Sequence, residues 1–332
     1  NSQLAIGCGA VRWITGDSSF NVCLADGVIK ALATGNLCAT CFIGDGSGLT
    51  NVPGFAPDAD ENLLAGTDAG GNLDGSSGCF NVLLGKDVGK ALTSGVNNTI
   101  LGCGAGEVMT SGSCNVIIGK DAMGHCDTTG SNNIAIGCMA GRRVTGGNNN
   151  TFLGKYAGAN LSTGCNNFIA GMGAGASGTI TGLSNILIGD CSGRVLTSGC
   201  CNVFIGRYAG KQNCTGTNNI LLGSFSGGGN GSGGNFSSTV AIGAGAGQDI
   251  TGGGHHVLQG IGAGGNITSA YGNTLVGSQA GCLITSGCYN SFFGMHAGCD
   301  LTTGKYNTVL GLKAGLGHLS GNDSNKLVIG CC

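Results

Sequence analysis

The sequence predicts an all-β fold, a parallel β-solenoid of the β-roll or β-helix kind wound in coils of about 17 residues. Three observations carry that expectation. A short phrase, Asn followed by three mostly apolar residues and Gly, recurs along most of the 332 residues. Glycine accounts for 71 of them, about three times the ordinary share. The apolar trio, rich in Val, Ile, Leu and Phe, is bounded by Asn and Gly and is too short for a helix.

Composition removes the main rivals. Collagen needs Gly at every third position and abundant Pro, and this chain has 2 prolines. Disorder fits poorly with 41% apolar residues and a net charge of −2. No apolar run approaches the roughly 18 residues of a membrane span. With 14 Lys+Arg against 16 Asp+Glu, no nucleic-acid partner is expected. The chain opens at Asn1 without Met, so any leader or preceding domain is missing from these residues and targeting is not read from them.

The elements follow in order. Residues 1–44 carry a weak version of the phrase, in QLAIG, NVCLA and CFIG, and are expected to form N-terminal coils. Residues 45–61, DGSGLTNVPGFAPDADE, hold both prolines and read as a linker or inserted loop. Residues 62–330 form the shaft. Its closing glycines stand at 66, 85, 102, 119, 137, 154, 171, 189, 206, 223, 243, 260, 277, 294, 311 and 330, and ten of the fifteen intervals are 17 residues. Seventeen residues suit two or three short strands joined by tight turns, with Gly and Asn supplying positive φ. Stacking at about 4.8 Å lets aligned Asn side chains form ladders and gives a rod of about 70–80 Å. An insertion near 226–238, SGGGNGSGGNFSS, lengthens one coil into a projecting loop, and the next coil begins with Thr239 in place of Asn.

The trio also bears on assembly. Side chains alternate along a strand, so the residue before each closing glycine, such as Leu84, Leu101, Ile118 or Leu153, suits the coil's own core. The residue before that then faces outward. There stand Leu83, Ile100, Ile117, Phe152, Ile169, Leu187, Phe204, Leu221, Leu258, Leu275, Phe292 and Val309. Such a stripe exceeds the few hundred Å² that monomers normally expose. Identical chains packing these stripes about a common axis are therefore favoured over a wide monomeric coil that covers both faces.

NNTFLGKYAGANLSTGCNN and NNIAIGCMAGRRVTGGNNN resemble the N-T-x-I-G-x-x-A-G repeats of phage and viral tail-fibre proteins, and are similar to the head repeats of trimeric autotransporter adhesins. FIGDGSGLTNVPG resembles a segment that often precedes such arrays, and SNKLVIG looks like the strand that follows them ahead of a removed chaperone domain. The resemblance implies a trimeric shaft on a virion or cell surface, outside the cell, serving attachment, with a host receptor or glycan as partner. The 19 cysteines are far more than those families usually carry.

Nineteen is odd, so at least one cysteine is free or pairs between chains. Cys282 and Cys299 lie five residues after successive closing glycines, and the coil spacing falls within the Cα separation of a disulfide. This pair is expected to be bonded; the alternative is that many cysteines are small buried apolar residues. Cys8, Cys200, Cys201, Cys331 and Cys332 are candidates for links between chains. Cys103 and Cys138 share a position, but Lys120 separates them. Disulfides would place the chain in an oxidising extracellular setting.

No metal, cofactor or catalytic set is expected. Cys38 and Cys41 form a CxxC without a second pair or a spaced His. His255 and His256 suit the capping of a coil. GCGAGE, GMGAGASG and GIGAGG sit at one phase of the repeat, lack the Lys of a phosphate-binding loop and read as turns. Asp68, Asp87 and Asp121 share a position but are interrupted by Gly104, and Asp249 and Asp300 lie three coils apart, so grouped carboxylates for glycoside cleavage are not indicated. A row at Thr93, Thr110, Thr145, Thr197, Thr251, Thr285 and Thr302 offers either a regular surface for ice or carbohydrate or turn-bonding residues. The function expected is a stiff fibre shaft, not an enzyme. The alternatives are a subunit of an end-to-end extracellular filament stapled by disulfides, and a polysaccharide-binding or polysaccharide-cleaving spike.

Overall fold

The computed structural model describes residues 57–73, 77–228 and 234–330, together with the backbone of three strands in the first fifty residues. The chain divides into two units, Asn1–Thr50 and Asn51–Cys332.

In the first unit β1 (Ala5–Cys8), β2 (Val11–Gly16) and β3 (Val22–Leu24) pair antiparallel in one sheet. Parallel coils were the expectation for 1–44. The antiparallel pairing of these strands differs from the parallel stacking of a solenoid coil.

The second unit is the solenoid. Sixteen three-residue strands, from β4 (Leu63–Ala65) to β19 (Leu327–Ile329), form one parallel sheet in unbroken sequence order. Register is kept from coil to coil: Phe152 stands opposite Ala135 on one side and Ile169 on the other. At about 4.8 Å per strand the stack is about 72 Å long. There is no helix among the described residues. Each coil holds one strand, where the sequence suggested two or three.

The rest of each coil is turn, and its backbone still bonds to the next coil. In the coil that starts at Asn150, the Thr151 amide donates to the Asn167 carbonyl at 2.8 Å and the Gly158 amide to the Ala174 carbonyl at 2.9 Å. The chain closes on itself through left-handed residues: Gly154 (φ 123), Tyr156 (φ 60), Gly158 (φ 58) and Asn166 (φ 59). Glycine is required at the strand's end by close approach as well as by φ. A Cβ on Gly206 would lie 2.5 Å from the Gly223 carbonyl oxygen of the next coil.

The core corrects the reading of the faces. Leu83, Ile100, Ile117, Phe152, Ile169, Leu187, Phe204, Leu221, Leu258, Leu275, Phe292 and Val309 do not form an outward stripe; all are buried inside the coil of their own chain. They are the middle residues of their strands, and the middle residue points inward while its two neighbours point out. A small residue after the turn, such as Ala140 or Ala157, and an aliphatic one further on, such as Leu92, Leu161 or Ile284, complete the interior. Volume is matched between neighbours. Where the strand centre is only Ala135, the buried Met123 of the preceding coil takes a left-handed turn position that most coils give to glycine. Where the next strand has Ala241, Phe236 fills the interior. Phe236 belongs to the insertion, so part of that segment is core; residues 229–233 lie outside the described residues.

The Asn that opens most coils is buried and forms the expected ladder. Asn81 Oδ1 accepts the Asn98 backbone amide at 2.9 Å and Asn98 Nδ2 at 3.0 Å, and Asn98 Nδ2 also donates to the Gly112 carbonyl at 2.9 Å. The pattern runs from Asn62 to Asn219 and again from Asn273 to Asn307. Asp58 starts it, accepting the Asn62 amide at 2.8 Å, so the acids at the end of the 45–61 segment include a cap for the first coil. Between the two runs stand Thr239 and His256, both buried. His256 Nδ1 accepts the Asn273 amide at 3.2 Å and Nε2 lies 3.0 Å from the Ala270 carbonyl. That arrangement requires a neutral ring with its proton on Nε2.

Candidate functional site

The surface that distinguishes this chain is the outer face of its long sheet. It is made by the first and third residues of each strand, and no charged residue occupies either column from Leu63–Ala65 to Leu327–Ile329. Ile136, Ile205 and Ile220 in the middle of the stack are about two-fifths exposed, as are Phe168 and Phe293. Thr99, Thr151, Thr274, Ser291, Gln259 and Thr308 are the polar interruptions. The apolar row inferred from the sequence therefore exists as two columns one residue to either side of the stripe first assigned.

The cysteine expectations fare differently. Cys282 and Cys299 are not bonded; both are free thiols. Their positions are adjacent, but the Cys299 Sγ turns toward its own turn, donating to the His296 carbonyl at 3.1 Å. Burial first, and then the neighbouring Cys282, push the Cys299 thiol up to about 11. Cys200 and Cys201 are also free, the first half-buried and the second exposed, and burial raises the Cys200 thiol with Cys201 adding to it. Cys331, Cys332, Cys38 and Cys41 lie outside the described residues, and the side chain of Cys8 does too.

The threonine row is a bonding row. Thr93, Thr145, Thr197, Thr251, Thr285 and Thr302 each donate their hydroxyl to a carbonyl of the next coil, and Thr110 donates to Asp127. These hydroxyls are committed within the chain. Thr197→Val is expected to cost about 0.5–1 kcal/mol, because the Cys214 carbonyl keeps the Thr197 backbone amide as donor. Chemical denaturation measures it, and a loss of several kcal/mol would mean the hydroxyl does more than brace a turn.

Among the described residues no group of three or more His, Cys, Asp or Glu is placed to hold a metal. Asp68 and Asp87 are tied to one cation, Lys90 Nζ lying 3.0 Å from each. The Lys90 hydrogen bond, opposed in part by burial, holds the Asp87 carboxyl below its ordinary range. Basic side chains meet aromatic rings along the turn edge: the Arg207 guanidinium and the Lys211 ammonium lie 4.7 Å and 4.9 Å from the Tyr208 ring centre. Sequence reading missed the two outward columns, and also His256 as a working member of the ladder. Comparison with known proteins adds no identification: no family model, curated protein or solved structure matches the chain.

Proposed function

We propose that this chain is the shaft of an extracellular fibre on a virion or cell surface, a stiff spacer that carries an attachment element away from that surface. The observation that supports it is the uninterrupted stack of sixteen in-register strands, braced on another side by a buried Asn ladder. Coils bonded around their whole perimeter resist bending and leave few backbone groups for a protease. The partner is the chain itself. The uncharged outer columns bury their apolar area when copies pack against one another, and a homotrimer about a common axis covers every copy's sheet equally.

Native mass measurement of the full chain, with and without reductant, tests this. A trimer that survives reductant is expected, since the association rests on apolar burial rather than on thiols. The double variant Ile188→Lys with Ile205→Lys, on the outer column, should dissociate it while the circular dichroism stays that of the parent. A parent chain that stays monomeric at micromolar concentration would sink the self-association, and an open filament dissolved by reductant would replace it with thiol-linked assembly.

A further inference from the structure

The turn that follows each strand carries a left-handed residue whose side chain points outward: Tyr208, Phe225 and Gln279 in three of the coils. In the two successive coils between Phe225 and Gln279 that position is Gly245 and then Gly262. Single glycines at this phase, Gly104 and Gly173, are flanked by coils that do carry a side chain there. The double omission opens a groove of about 400 Å³. From the Phe225 coil to the Gln279 coil is three spacings, about 14 Å. Backbone hydrogen bonds fix its floor: the Gly245 amide donates to Ser224, Gly262 to Ala244 and Asp249 to Gly265, each at 2.9 Å.

The lining has a definite chemistry. The Phe225 ring is one wall, set by the Tyr208 ring tilted against it at 5.1 Å. Ile261, 64% exposed, gives a second apolar contact. Gln248, Asp249 and Asn266 line the same space, and no side-chain hydrogen bond engages them among the described residues. Asp249 is the one charged group of the lining, so the groove repels an anion. Two amides that donate and accept and a carboxylate that accepts, beside the half-buried Phe225 ring and the exposed Ile261, match a ligand with many hydroxyls and one apolar face.

We propose that this groove binds a neutral pyranoside, one sugar ring lying on Phe225 with its hydroxyls bonded to Gln248, Asp249 and Asn266. The site belongs to coils of a single chain and goes beyond the shaft reading, standing whatever the oligomeric state.

The test uses the full chain and the methyl pyranosides of glucose, galactose, mannose and N-acetylglucosamine, with saturation-transfer NMR and calorimetry. Saturation transfer to at least one of them is expected, at one site per chain. Gly262→Gln should abolish it by filling the groove. Gln279 adopts that same backbone conformation one coil on, and a Cβ at Gly262 meets nothing closer than the Gln279 Cγ at 3.6 Å. Phe225→Ala should weaken binding about tenfold through the lost ring face. Gly173→Gln, the same change at an isolated glycine, should leave it intact. Absence of transfer to all four glycosides overturns the proposal, as does binding that persists in both groove variants. Binding of tetramethylammonium in place of the sugars, lost in Asp249→Asn, would also overturn it and reassign the groove to a cation.

Discussion

Asn150→Ala is expected to destabilise its neighbourhood by about 4 kcal/mol. Asn150 sits in the middle of the ladder and is fully used. Its Nδ2 donates to Asn133 Oδ1 at 3.1 Å and to the Gly164 carbonyl at 2.9 Å; its Oδ1 accepts the Asn167 amide at 3.0 Å and Asn167 Nδ2 at 3.1 Å. Alanine leaves the Asn167 amide and the Gly164 carbonyl buried without partners, at about 2 kcal/mol each. Asn150→Asp should be worse, because a carboxylate cannot donate to Gly164 and would be charged in a buried place. Asn150→His should be milder at neutral pH, since His256 performs the same task. Hydrogen exchange of the amides in Thr151–Leu153 and Phe168–Ala170 reads the effect locally. A change below about 1 kcal/mol for the alanine variant would show that backbone stacking alone holds the coils.

Acid should weaken the stack at a single coil. Burial is the main reason the His256 imidazole titrates at about 4 rather than at its ordinary 6.5, with the nearby His255 pushing the same way and the Ala270 hydrogen bond opposing. Between those two values the unfolded chain binds a proton that the folded chain does not, so added protons favour unfolding. Stability from this residue is intact above pH 6.5 and falls as the pH drops toward 4, by about 3 kcal/mol in all. The proton would have to enter at Nδ1, where the Asn273 amide already points. His256→Asn should remove that slope and restore the amide ladder across the coil. Denaturation or local exchange at pH 7, 5.5 and 4 decides it: an equal acid response in parent and variant would move the effect elsewhere.

The period, the parallel stacking and the Asn ladder were all legible in the residues, because each depends only on recurrence and on short-range chemistry. The facing of the strands was not read correctly. A three-residue strand fixes which residues share a face but not which face is inner. A further signal was present: the central column is apolar in every coil, down to Ala135 and Ala241, while the flanking columns admit Thr99, Thr151, Ser291 and Gln259. Only the interior forbids an unpaired hydroxyl, so variation in polarity marks the outside. Other features rest on tertiary facts with no local signature. That Met123 turns inward depends on the small Ala135, and the groove depends on knowing that the left-handed residue within the turn, two after the closing glycine, projects outward. The Cys282–Cys299 expectation used backbone spacing alone, which brings two positions near one another without fixing where their sulfurs point; Cys299 Sγ donates to the His296 carbonyl.

Because every coil touches essentially its two neighbours, the solenoid behaves as a one-dimensional lattice rather than as a globule. A defect cannot be relieved by distant contacts, and it cannot spread unless the adjacent coil yields. The change of ladder residue at Thr239 and His256 then acts as a seam between two blocks, residues 62–238 and 273–330. Pulled or acidified, such a chain parts at the seam first and keeps its remaining turns wound, so damage shortens the rod without dissolving it.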